Sequence, residues 1–420
     1  MICKVCGKKD IKFSMGFNKH PISHNYKKKQ KNINEKFINI KFYQCQSCGL
    51  LQLAKTFKSD YLKPKYSFIK QNEPEDHLDR VVENIIKLPG VNKNMQIVGL
   101  SYKDQSVLTR FKKIGFKRTK IIDFRKNNKE KKGPDFEILD SFINSKNLKK
   151  FTQKFGNVDL VISRHFFEHT HSIKDFMHGI QTLLKKSKLG YFYLEVPDCE
   201  RSLKAFEYPM IWEQHKVYFT RHTLDRTLNI FNFKKIFSNI AKYKYEDCLL
   251  YVGKVKKNGK KLPFIIKKNI LKREVFVANN YFLKLQIFKK KIFILFKDLK
   301  KKNKKIAFYG SGHNGVMFIN LFKIKKFIDL VLDDNHHFQN LFLPGSNLII
   351  SSPKNINQKI DYCFLSANFG NEKKIIKKNN NLLSKNGKFI SISFHNPKGI
   401  TKYLNNIILN KNLINKKLII

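Results

Sequence analysis

The sequence predicts an α/β protein with two parallel-sheet domains, a small metal module in front of them and a long helix between them. Three observations predict it. Two Cys-x-x-Cys-Gly units stand near the N-terminus, at Cys3–Gly7 and Cys45–Gly49. Short apolar runs alternate with amphipathic stretches from Ile97 to Val196. The same alternation resumes at Ile306, after a Lys-dense stretch with apolar residues at helical spacing. The resulting divisions are a zinc-binding module over 1–60, a first α/β domain over 61–255, a helical linker over 256–304 and a second, smaller Rossmann-like α/β domain over 305–420.

A chain of 420 residues is too long for one core and fits two or three. Hydrophobic residues make up 42%, so each part can bury an interior. No run reaches the roughly 18 apolar residues of a membrane-crossing helix. The opening, MICKVCGKKD, has no apolar leader core. A cytoplasmic enzyme is the expected class. The formal net charge is +52, from 84 basic and 32 acidic residues. Only nine of the basic residues are arginine, and the lysines spread over the whole length. Forked arginine contacts to phosphate and guanine are therefore scarce, and no specific nucleic-acid partner is expected. The lysines read as solvated faces whose field favours anionic small molecules. The basic, aromatic stretch YFLKLQIFKKKIFILF (281–296) fits a packed linker helix better than a helix lying on a membrane.

The cysteine pairs read as metal ligands rather than disulfides. Each turn aims two thiolates at one ion, and the glycine after it relaxes a tight backbone. Cys3, Cys6, Cys45 and Cys48 are the candidate ligands of a closed, structural zinc. The spacer between the pairs exceeds the usual 15 to about 20 residues. It holds His20 and His24, either of which could stand in for a cysteine. Cys199, Cys248 and Cys363 have no partner evident in sequence.

In the first α/β domain, HLDRVVENIIKL (77–88) is helical and stops at Pro89-Gly90. Ile97–Gly99, Lys120–Phe124, Asp159–Ser163 and Gly190–Val196 are the strands. SVLTRFKKIGF (106–116) is an amphipathic helix. Ligands of open parallel sheets bind beyond the carboxyl ends of the strands. Gly99, Asp123 and the Ser163-Arg164-His165 run lie at three such ends. His165, His169 and His171 fit a metal site by residue type alone, but a capping or core role is expected for His169.

Four segments together resemble the S-adenosylmethionine (SAM)-dependent sugar C-methyltransferase family: DLVISRHFFEHTHSIKDF (159–176), YLEVPDCE (193–200), WEQHKVYFTRHTL (212–224) and DDNHHFQNLFLPGS (333–346). The order of zinc knuckles, Rossmann-like core and C-terminal α/β domain is similar too. The resemblance implies a class I methyltransferase domain over 61–255, with SAM and a structural zinc as cofactors. It implies cofactor contacts at Gly99, Ser101, Asp104, Asp123 and Arg164. The family's Y-H-E-H-x-x-Y-F segment resembles Trp212–Phe219, which makes His215 the base or substrate orienter. Glu213, Gln214 and Tyr218 then stand around it, and Trp212 faces the substrate. The implied acceptor is a nucleotide-linked sugar or related small molecule, for surface polysaccharide or secondary metabolism.

The chain departs from the family at two places. The loop IVGLSYKDQSVL (97–108) lacks the acid before its glycine, and Gln105 stands where a glycine is expected. Gln214 replaces a carboxylate beside His215. Two readings stay open: SAM held in an adjusted pose, or a non-catalytic homologue that has lost SAM.

The second α/β domain opens with Gly310-Ser-Gly312-His-Asn-Gly315 between a strand and a helix, with Asp333 and Asp334 at the distance of a ribose-binding acid. Alone, this is a dinucleotide fingerprint, and an NAD-dependent sugar-nucleotide enzyme is the second reading. The family resemblance instead makes Gly310, Gly312 and Gly315 a substrate-binding loop.

Overall fold

The computed structural model describes residues 1–28, 35–55, 57, 61–62, 66, 75–122, 143–243, 246–256, 266–394, 396 and 399–407. Asp123 lies outside the described residues, as does Phe124. Three sheets carry the fold among the described residues.

The N-terminal sheet has the antiparallel order β1 (Ile11–Pro21), β2 (Phe37–Cys45), β3 (Leu51–Leu53), β8 (Val217–Tyr218). The sequence shows little periodicity here, and the reason is visible. The β1–β2 register shifts between Phe13 and Met15 and again between Phe17 and His20. Bulges of this kind break the period of two on which a strand is read. The fourth strand comes from the next domain, pairing Leu51 with Tyr218 and Gln52 with Val217.

The central sheet has the order β5 (Thr119–Ile121), β4 (Ile97–Gly99), β6 (Leu160–Arg164), β7 (Tyr191–Pro197), β10 (Cys248–Val255), β9 (Phe233–Ala241). The first four are parallel, and β10 runs against both neighbours. Every residue of β6 and β7 is buried, as expected for parallel strands covered on both faces. The antiparallel pair β9–β10 was not anticipated. The chain leaves β4 toward β5 on one side and returns to β6 on the other, so the switch point lies between β4 and β6.

The C-terminal sheet is wholly parallel, in the order β13 (Ile350–Ser351), β12 (Leu330–Leu332), β11 (Ile306–Tyr309), β14 (Ile360–Leu365), β15 (Leu383–Ser391). Its switch point lies between β11 and β14.

The helix Lys268–Lys301 joins the two domains. It buries Tyr281, Phe282, Leu285, Ile292, Phe296 and Leu299 against the C-terminal core, with Phe296 and Phe364 ring centroids 4.6 Å apart. Each such side chain contributes about 1.5–3 kcal/mol of transfer free energy. This is the packed linker of the two expected alternatives. No described helix is long and apolar enough to cross a membrane.

The three parts meet at one buried ion pair. Arg226, on the helix Arg221–Ile230, contacts Glu274 of the linker helix and donates to the Cys48 carbonyl at 2.8 Å. Thr220 Oγ1 donates to the other oxygen of Glu274 at 2.8 Å. Gly49 (φ +78°) passes so close that a Cβ there would lie 2.5 Å from Glu274 and 3.0 Å from Arg226. A Gly49→Ala variant is expected to lose about 1–3 kcal/mol, measured as a lowered midpoint in thermal or urea denaturation.

Candidate functional site

The metal module is built as its spacing suggests. Cys3 Sγ lies 3.6 Å from Cys48 Sγ, and Cys6 Sγ 3.6 Å from Cys45 Sγ. All four sulfurs lie within 4.8 Å of one another. A tetrahedral zinc with bonds of about 2.3 Å spaces its thiolates about 3.8 Å apart, so the residues fit the ion. Gly7 (φ +72°) and Gly49 close the two turns on the carbonyls of Cys3 and Cys45. His20 and His24 take no part. Both are buried farther along the chain, against Glu213 and Gln214.

At the switch point of the central sheet, Gly99, Ser101, Asp104 and Arg164 come together around a buried carboxylate. Asp104 turns inward and is fully buried. Its Oδ2 accepts from Leu100 N at 2.8 Å and Ser101 N at 2.7 Å, and its Oδ1 from Arg164 N at 2.7 Å. Burial pushes the Asp104 carboxyl up to about 7 against these donors. The backbone N–H groups expected to face SAM are therefore committed within the loop. A Cβ at Gly99 would lie 2.7 Å from Asp104 Cβ, so this glycine serves the loop's own closure. The Leu100 and Ser101 N–H groups are thus bonded to Asp104, and Asp123, at the ribose position, lies outside the described residues.

Arg164 is buried as well. Its guanidinium binds Glu195 at 2.8 Å, the Lys103 carbonyl at 2.9 Å and Ser106 Oγ at 3.1 Å. Glu195, fully buried on β7, also meets His165 Nε2 at 2.9 Å and His77 Nε2 at 3.1 Å, and accepts from the Tyr193 hydroxyl at 2.9 Å. Burial raises its pKa, but the histidines and Arg164 outweigh that and hold it well below the usual carboxylate range. His165 adopts a left-handed conformation (φ +46°) while its N–H bonds the Glu195 carbonyl at 2.8 Å. Sequence reasoning assigned Glu195 no role. A lone glutamate in the apolar run Tyr191–Val196 was the available signal, since a buried carboxylate must be paired.

A cleft of about 560 Å³ opens beyond these strand ends. Lys103, His165, Glu168, His169, Trp212 and His215 form its central-domain wall. His313, Asn314, Ala367 and Phe394 face them from the carboxyl ends of the C-terminal sheet. Both switch points thus open on one space of ligand size. His215 is 7% exposed, with ring centroids 4.8 Å from both His169 and Trp212. Trp212 also lies 5.0 Å from His313. Burial, then the charges of His215, Lys216 and Lys103, hold His169 neutral. Glu168, His169 and His215 gather within 4.8 Å, whereas His171 is exposed elsewhere, so the His165–His169–His171 metal grouping does not form.

The neighbours of His215 in sequence turn away from it. Glu213 is fully buried and accepts from Ser23 N at 2.8 Å and Ser23 Oγ at 2.9 Å, with His20 Nε2 3.6 Å from its second oxygen. Burial raises its pKa, and His20 and the Ser23 amide overcome that to hold it at about 2. Gln214 Nε2 meets His24 Nδ1 at 2.6 Å. Neither side chain compensates for the absent carboxylate at His215. Tyr218 is buried behind the loop, where its hydroxyl donates to the Trp212 carbonyl at 2.9 Å. It shapes the turn rather than facing the cleft.

In the C-terminal domain the three glycines divide their work. Gly310 (φ +108°) makes the turn, and a Cβ there would lie 2.6 Å from Ala367 N. A Cβ at Gly315 would strike the Gly310 carbonyl at 2.5 Å, so Gly315 packs helix on strand instead of meeting ligand. Gly312 has open space and lines a second crevice of about 540 Å³ with Asp334, Lys374 and Lys378. The two spaces share His313, Asn314, Ala367 and Asn368. Asp333 accepts from Ser311 N and Oγ, both at 2.7 Å, so the acid best placed for a ribose is engaged by its own loop.

Comparison with known proteins places this architecture. Residues 3–62 match the zinc binding domain family, 76–236 the methyltransferase domain family and 249–392 the C-methyltransferase C-terminal domain family. A zinc binding segment, a methyltransferase segment and a C-methyltransferase C-terminal segment thus follow one another along the chain. The methyltransferase match and the four-cysteine cluster carry the SAM and zinc assignments. The chain is similar to the C-methyltransferase NovU of Streptomyces niveus, at 21% identity over 225 residues, 53% of each protein. The match thus spans about half the length of that curated relative. Among solved structures, a SAM-dependent methyltransferase from Anabaena variabilis is 15% identical, with 46% of this chain and all of that one covered, at a TM-score of 0.29. The 1,6-didemethyltoxoflavin-N1-methyltransferase of Burkholderia thailandensis is 11% identical, with 43% and 78% covered, at a TM-score of 0.28.

The carboxylate of Glu213 gives the site a pH signature. A depressed folded-state pKa contributes stability that is full above the unfolded value and is lost as pH falls. For Glu213 the window runs from 4.5 down to about 2, and the contribution is at most about 3 kcal/mol. Denaturation of the parent and a Glu213→Gln variant is expected to show a gap at pH 7 that shrinks through this window. A gap unchanged at acid pH would count against the buried carboxylate.

Proposed function

We propose that this protein transfers a methyl group from SAM to a carbon of an anionic small molecule, with a nucleotide-linked sugar as the acceptor class. The observation that carries the reading is the shared cleft. His215 and His169 stand on one wall, and the strand ends of a second Rossmann-like sheet stand opposite. SAM supplies an electrophilic methyl group when bound. His215 takes the proton from the acceptor carbon beside a carbonyl, a step suited to an imidazole near neutral pH. Trp212 packs against the His215 ring, and His313 packs on Trp212. The crevice over Gly312, with Lys374 and Lys378, receives the acceptor's phosphates. The 1–60, 61–255, 256–304 and 305–420 divisions then correspond to zinc module, methyltransferase domain, linker and substrate-binding domain.

One observation favours a second reading. The self-satisfied Asp104 loop suits a homologue that has lost SAM and keeps only acceptor binding. The NAD reading is weakened by the engagement of Asp333 with Ser311.

Calorimetric titration with SAM and S-adenosylhomocysteine, with NAD as control, separates these readings. Saturable micromolar binding of the SAM pair is the expected result, and its absence from folded, zinc-loaded protein would favour the second reading. With an accepted nucleotide sugar, His215→Ala is expected to lower kcat by about a hundredfold or more with SAM affinity intact. Full turnover in that variant would remove His215 from the chemistry.

A further inference from the structure

The segment Pro21–Lys27 belongs to the zinc module in sequence, yet its contacts lie in the cleft wall. Ser23 donates from both N and Oγ to Glu213 Oε1, and its hydroxyl accepts from Trp212 Nε1 at 3.1 Å. His24 meets Gln214. Three residues on, the Tyr26 hydroxyl donates to the Ser311 carbonyl of the C-terminal Gly-rich loop at 2.7 Å. Lys27 bridges to Phe342, whose N–H bonds the Lys27 carbonyl at 2.8 Å. One short segment therefore touches both of the domains that form the cleft.

The same sheet ties this segment to the zinc. Strand β1 has Ile11 opposite Cys45 at one end and Pro21 opposite Phe37 at the other. At about 3.4 Å per residue, this strand carries the position of the zinc knuckles to Ser23. A second tie comes from β3, whose Leu53 N–H bonds the Lys216 carbonyl at 3.0 Å, one residue beyond His215.

We propose that Ser23 is a positioning residue for the His215 loop, and that through it the zinc module sets the geometry of the cleft. Ser23 acts through its neighbours. Its hydroxyl joins the Trp212 indole to the Glu213 carboxylate, fixing the two residues that precede His215 by three and two positions. Metal binding is then coupled to the site as well as to folding. The inference rests on the proposed function only in taking this cleft as the acceptor site.

The test needs neither SAM nor acceptor, so its failure and the failure of the proposed function are separable. Trp212 is the only tryptophan in the chain, so acrylamide quenching reports on it alone. Carbethoxylation of His215 by diethyl pyrocarbonate, followed by peptide mass spectrometry, reports on the base. In zinc-loaded Ser23→Ala, loss of a net hydrogen bond is expected to raise loop opening, and with it His215 carbethoxylation, roughly fivefold. Trp212 quenching is expected to increase too, at unchanged zinc content, and Ser23→Thr is expected to restore both. Chelation of zinc from the parent protein should move both probes in the same direction. A Ser23→Ala protein with parental zinc content and parental His215 reactivity would overturn the proposal.

Discussion

The carboxylate of Glu213 is the constraint on which the cleft depends. A fully buried carboxylate carries a desolvation cost of several kcal/mol unless donors surround it. Here the donors are the amide and hydroxyl of Ser23, with His20 beside them. All three groups belong to a different domain from Glu213 itself. The Trp212–His215 loop therefore cannot take this form until the N-terminal sheet has docked. The pairing of β3 with β8 makes the same demand on the residues just after His215. Zinc module and methyltransferase domain read as separate units in sequence, but they share one sheet and one ion cluster in space.

The legible parts of this fold were those with a local physical signature. The CxxCG turns need only neighbours in sequence, and the four sulfurs meet as expected. The apolar run Leu160–Ile162 of β6, and β7 apart from Glu195, announced a covered parallel sheet, and GxGxxG marked the C-terminal turn. What stayed hidden is non-local. The bulged β1 lost its alternation, and β9 and β10 pair antiparallel across a sheet otherwise read as parallel. At the site, His215 was legible by its segment, but the direction of its neighbours was not. Glu213 and Gln214 face histidines about 190 positions away, and no spacing rule reaches that far.

The charge distribution follows the same logic of place. The +52 net charge says little about the cleft, because most lysines are solvated. Lys216 is an exception. It is fully buried and donates to the Gln214 carbonyl at 3.3 Å. With Lys103 it lies close enough to depress His169. Burial and these charges keep His169 neutral, and the surrounding positive charge favours an anion in the cleft over a cation.

The two Rossmann-like sheets share one further device. In each, an acid turns back onto the loop after the first strand. Asp104 accepts the N–H groups of Leu100 and Ser101, and Asp333 accepts that of Ser311. A carboxylate there occupies the donors that a phosphate would otherwise use. At Ser311 this pushes any diphosphate outward, toward the unobstructed Gly312 and the crevice lysines. At Asp104 burial raises the carboxyl against the donors that bond it. In both sheets the carboxylate thus closes its own loop before any ligand arrives.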